Sequence, residues 1–78
     1  MGDNVSRNVL DVLRDATEPM TLDRIAAGLL AMRGVEPNRR MVRDAAMRGY
    51  NALQRYTESG LLRQTTRPDG RQVWEVRR

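Results

Sequence analysis

Arginine supplies all of this chain's positive side chains: 14 arginines and no lysine stand against ten carboxylates, a net charge of +4 over 78 residues. A biased genome composition would also give arginine in place of lysine. The guanidinium nevertheless has its own chemistry, a planar fork of N–H donors suited to paired hydrogen bonds with phosphate oxygens or the O6/N7 edge of guanine. The charges are unevenly placed. Residues 1–38 carry four arginines and six carboxylates, a balance of −2, whereas residues 39–78 carry ten and four, a balance of +6. A basic half beside a mildly acidic one suggests a face for a polyanion. The chain has no cysteine and no histidine, which removes disulfides, zinc fingers, thiolate nucleophiles and imidazole acid–base chemistry together. Acid–base carboxylate pairs, phosphate-cradling loops and nucleophile elbows are also missing from the pattern. The sequence therefore reads as a non-enzyme with no cofactor and no metal.

Three arginines surround one turn in "LLRQTTRPDGRQVWEV", residues 61–76. Pro68 presets a φ near −65°, Asp69 favours a turn, and Gly70 suits a positive φ. A three-residue loop of Pro68, Asp69 and Gly70 pairs Arg67 with Arg71, Gln64 with Trp74, Arg63 with Glu75, and Leu62 with Val76. This register places Leu62, Trp74 and Val76 on a dry face. Arg63, Thr65, Arg67, Arg71, Val73 and Glu75 fall on the other face, where Arg63 and Glu75 are placed for a weak cross-strand ion pair. Two strands alone are marginal in water, so the dry face must rest on elements upstream.

Those elements read as helices. In residues 4–16, Asn4 can cap a helix whose Val5, Val9, Val12, Leu13 and Ala16 form one apolar stripe. Leu10 lies off that stripe, either as an isolated exposed leucine or as part of a dimer patch. Pro19 then breaks the pattern, and Met20 can add a short extended segment beside the hairpin. Thr21 caps a second helix, about 21–33, with Leu22, Ile25, Ala26, Leu29 and Leu30 inward and Gly34 as its stop. A third helix, about 38–59, starts near Asn38 or Glu36 and ends at Gly60. Its inward side carries Val42, Ala45, Ala46, Gly49, Leu53 and Tyr56. Arg40, Asp44, Met47 and Asn51 lie opposite, with Arg43 and Gln54 on one edge and Arg48 and Arg55 on the other. Gly49 costs about 1 kcal/mol relative to alanine inside a helix, and close packing against the first helix is the favoured reason for it over a kink. The expected fold is mainly α with a small β-hairpin, an α+β domain over residues 1–78. No apolar run approaches the ~18 residues of a membrane span, and no signal peptide is present. The expected setting is soluble and cytoplasmic, with no membrane partner.

Three amphipathic helices followed by a hairpin is the order of a winged helix-turn-helix domain. "VLDVLRDATEPMTLDRIAAGLL" resembles the opening of that superfamily, and "NALQRYTESGLLRQTTRPDGRQVWEV" resembles its close. The resemblance covers roughly residues 5–77. The second helix and turn are about four residues longer than usual, and the third helix about two turns longer. The resemblance implies a three-helix bundle plus a C-terminal wing that binds double-stranded DNA, as a small, nucleoid-associated transcriptional or mobile-element regulator. It also implies that the third helix enters the major groove while the wing lies over phosphates or the minor groove. The outward residues of that helix, Arg40, Arg43, Asp44, Met47, Arg48 and Asn51, are then the base-reading candidates, with arginine suited to guanine and asparagine to adenine. Arg39, Arg63, Arg67, Arg71, Arg77 and Arg78 are the phosphate and wing candidates. Each has a plainer role as solvated surface. Asp44 can pair with Arg40 or Arg48, and Met47 can be filler at the edge of the core or a thymine-methyl contact. The free chain is expected to be a monomer or weak homodimer that can pair on DNA. The competing readings are a winged helix used for protein–protein contact and an RNA binder using the same basic face.

Overall fold

The computed structural model describes residues 5–77. Helix α1 spans Val5–Asp15, strand β1 Met20–Thr21, helix α2 Leu22–Met32, helix α3 Arg39–Ser59, strand β2 Leu62–Thr66 and strand β3 Gln72–Val76. The result is a small α+β unit of three helices and a three-stranded antiparallel sheet in the order β1-β3-β2. The expected cap at Asn4 and the terminal Arg78 lie outside the described residues.

Local chemistry sets most of the boundaries. The Thr21 hydroxyl accepts the Arg24 N–H at 3.4 Å and starts α2, and the Asn38 side-chain oxygen accepts the Met41 N–H at 2.9 Å and starts α3. Both satisfy a donor that has no partner within the first helical turn. At the other end of α3, Gly60 adopts φ +88°. The N–H groups of Gly60 and Leu61 then reach back to the Thr57 and Tyr56 carbonyls at 3.2 and 3.0 Å. Only glycine enters that left-handed region cheaply.

The hairpin follows the turn. Arg67 N–H donates to the Arg71 carbonyl at 2.8 Å, Gly70 N–H to the Arg67 carbonyl at 2.9 Å, and Arg71 N–H to the Asp69 carboxylate at 3.0 Å. Leu62 faces Val76, Arg63 faces Glu75 and Gln64 faces Trp74. Strand β1 adds a third rung on the far side of β3, Met20 opposite Trp74 and Thr21 opposite Val73.

The core joins all of these elements. Val9 and Leu13 of α1, Ile25 and Leu29 of α2, Ala52 and Leu53 of α3, and Leu62 and Trp74 of the sheet form one buried cluster. Helix α3 runs unbroken through Gly49. A Cβ at that position would lie 3.4 Å from Leu29 Cδ1 and 3.7 Å from Val9 Cγ2, ordinary contact distances, so the packing leaves room for an alanine and does not by itself require the glycine. Gly28 is tighter, because a Cβ there would meet Val12 Cγ1 at 3.1 Å and Cγ2 at 3.3 Å.

Two expectations are corrected. Leu10 is partly buried against the core rather than exposed. Helix α1 is packed by α2, α3 and β3 together, so its buried arc is wider than one helical stripe. Val73, expected on the exposed face of the hairpin, is only 3% exposed. It stands in the central strand between Thr21 and Thr65. On the same face, the Arg67 guanidinium donates to the Pro19 carbonyl at 3.4 Å.

Trp74 is 3% exposed, and Trp74→Ala is expected to cost about 3–5 kcal/mol. Small domains hold only about 5–15 kcal/mol in total, so thermal melting should show a variant close to unfolded at room temperature. The glycines should separate in the same assay. Gly49→Ala meets only ordinary van der Waals distances and should stabilise by up to about 1 kcal/mol through helix propensity. Gly28→Ala must displace Val12, and should gain less than Gly49→Ala or lose stability.

Candidate nucleic-acid interface

The outer side of α3 carries the candidate residues, and its geometry follows from the Asn38 cap and the inward stripe. With Ala46, Gly49, Ala52 and Leu53 buried, the helical period turns Arg39, Arg40, Arg43, Asp44, Met47, Arg48 and Asn51 to solvent, and all of them are exposed. They do not form one group. Arg39, Arg43, Met47 and Asn51 line an open groove of about 1060 Å³ between the start of α2 and the first half of α3. Its opposite wall is Leu22 and Asp23 of α2, with Pro37 and Asn38 at the end. Asp44 and Arg48 lie on the other flank, where they line a smaller depression of about 220 Å³ with Arg33 and Met41. Arg40 is exposed between the two.

The α3 arginines close no ion pair among the described residues. Among the described residues, the ion pairs are Arg14 with Asp11 at 4.0 Å and Arg24 with Glu18 at 3.9 Å. Asp44 therefore pairs with neither Arg40 nor Arg48 in this structure, and Arg63 does not close an ion pair with Glu75 opposite it. Exposed pairs of this kind contribute under about 1 kcal/mol, so side-chain entropy easily keeps them apart. Met47 is also corrected. At 69% exposed it is not core filler, but the most exposed large apolar side chain described.

Tyr50 was missed in the sequence. It lines the same groove as Arg43 and Met47, its ring stands edge-on to Trp74 with centroids 6.4 Å apart and planes at 90°, and its hydroxyl accepts a hydrogen bond from the Gln54 amide. The helical period places Tyr50 on the border of the inward arc, where a tyrosine gives no signal of its own. Its partner is brought to it only by the hairpin folding under α3.

The wing arginines face different surroundings. Arg63 and Arg77 line an open groove of about 610 Å³ beside the end of α1, together with Arg14, Asp15, Glu18 and Glu75. This is a mixed-charge surface. Arg67 is engaged with the Pro19 carbonyl, while Arg71 is exposed at the tip. Arg55, on the far edge of α3, donates to the Ser6 hydroxyl at 3.2 Å and ties that edge to α1. Among the described residues, no group of three or more Asp, Glu, His or Cys side chains is placed to hold a metal ion, and no helix is long and apolar enough to cross a membrane.

No protein-family model matches the chain, and a search of curated proteins returns no significant match.

The cap that projects α3 can be tested alone. Asn38→Ala removes the acceptor of the Met41 N–H and should cost about 1 kcal/mol. Asn38→Asp keeps an acceptor and should hold most of that stability. Melting temperatures of the two variants check the difference.

Proposed function

We propose that this chain is a winged helix-turn-helix domain that binds double-stranded DNA, serving as a small transcriptional or mobile-element regulator. The observation that carries the reading is the face of α3, where Arg39, Arg43 and Asn51 line one open groove and the arginines have no carboxylate partner among the described residues. Exposed arginines outside ion pairs lose little on meeting phosphate, and they gain from the counterions that DNA releases. The start of α3 adds free N–H groups and the positive end of its dipole. Across the groove Asp23 repels phosphate, so the cationic wall is α3. In this reading Arg43 and Asn51 contact base edges, Arg39 and Arg40 lie at the backbone, and Arg71 is the leading phosphate contact of the wing. Leu10 packs partly against the core, which supports a monomer when free.

A winged helix can instead serve as a protein-interaction module. The observation that favours this second reading is the exposure of two further methionines, Met32 near the end of α2 and Met41 in the first turn of α3.

Titration against random genomic duplexes at several salt concentrations separates the two. With about four to six phosphates neutralised, log K should fall against log salt with a slope of roughly −4 to −5. Arg71→Ala should weaken every sequence alike and flatten the slope by about one unit. Arg67→Ala should flatten it less, because that guanidinium is held toward Pro19. Arg43→Ala should cost about 1–3 kcal/mol on a preferred site and far less on random DNA. A folded sample that binds no duplex at low salt leaves the protein-interaction module as the reading.

A further inference from the structure

Met47 is 69% exposed, against 50% for Met32 and Leu61 and 39% for Met41. Single exposed apolar side chains are ordinary. Met47 is set apart by its position, four residues after Arg43 and four before Asn51, with all three lining one groove. Its two neighbours along this line can each form paired hydrogen bonds to a base edge, arginine to guanine and asparagine to adenine. A thioether forms no strong hydrogen bond, but its flexible, polarizable chain adapts to a small apolar surface. On the major-groove edges of the four bases, that surface is the thymine C5-methyl group.

We infer that Met47 reads a thymine methyl group, so that the preferred DNA carries a thymine between a guanine read by Arg43 and an adenine read by Asn51. This rests on the DNA-binding reading above. Side chains four residues apart on a helix emerge about 6 Å apart, close to two base-pair steps of about 3.4 Å. The three bases are therefore spaced by about two steps, and Met47 selects thymine over cytosine, which has hydrogen in place of the methyl group.

The test is a selection from duplexes with a random core, run in parallel on the parent chain, Met47→Ala and Met47→Leu. The parent and Met47→Leu should enrich a thymine with guanine and adenine about two steps to either side, while Met47→Ala should keep those two bases and lose the thymine. In the enriched site, deoxyuridine in place of that thymine removes only the methyl group. It should weaken the parent about four-fold, the loss expected for one buried methyl group, and leave Met47→Ala unchanged. Equal melting temperatures would show that Met47→Ala remains folded. A parent indifferent to deoxyuridine, a Met47→Ala variant as sensitive as the parent, or DNA binding with no enriched thymine each overturns the inference while DNA binding stands. Failure of the parent to bind any duplex at low salt overturns the DNA-binding reading itself, and this inference with it.

Discussion

The burial of Trp74 is the contact on which the other parts of the fold depend. It sits in the central strand, opposite Met20 on one side and Gln64 on the other, and it belongs to the same buried cluster as Val9, Ile25 and Leu53 from the three helices. A two-stranded hairpin of this length would not hold its shape in water. Seating one large aromatic side chain against the helices turns the hairpin into a wall of the core and supplies apolar burial that a chain this short has little of elsewhere. Tyr50 extends the seat outward through its edge-on ring contact. The floor of the α3 groove is thus connected to the sheet by one aromatic step.

Helix packing then decides which side of α3 is left for function. Gly49 of α3 faces Val9 and Leu29, and the small residues Ala46 and Ala52 beside it are buried too. Leu53 is buried with them and Val42, Ala45, Tyr56 and Thr57 are half-buried, while the outer side of this 21-residue helix lies in solvent. The arginines there keep their hydration and carry no desolvation cost until a ligand arrives. An α3 with bulkier inward residues would stand further off and lose the walls that α2 gives to the groove.

Charge is divided by surface as well as by sequence. The α3 arginines close no ion pair among the described residues, although Asp23 lines the groove of Arg39 and Arg43 and Asp44 lies beside Arg48, whereas Arg63 and Arg77 share a groove with Asp15, Glu18 and Glu75. Opposite charges at such spacing reduce one another's field, and salt screens what remains. Arg71 stands apart from that mixed-charge groove, exposed at the tip of the hairpin beside Asp69.

Features determined within a few residues were legible in the sequence. The Pro68-Asp69-Gly70 loop, the caps at Thr21 and Asn38, and the stop at Gly60 depend on backbone dihedrals and hydrogen bonds closed inside one turn. Hairpin register followed from loop length, and the inward and outward sides of α3 from its period, because both are geometric consequences of the local backbone. Only the tertiary structure decided the rest. Val73 is buried in a strand that β1 makes central. Leu10 is packed against a core assembled from all three helices and the sheet. Tyr50 gains its role from a tryptophan 24 positions along the chain, and α2 groups Arg43, Met47 and Asn51 while leaving Asp44 and Arg48 on the opposite flank. In each case the deciding neighbour comes from a distant segment, and periodicity within one element carries no information about what packs against it.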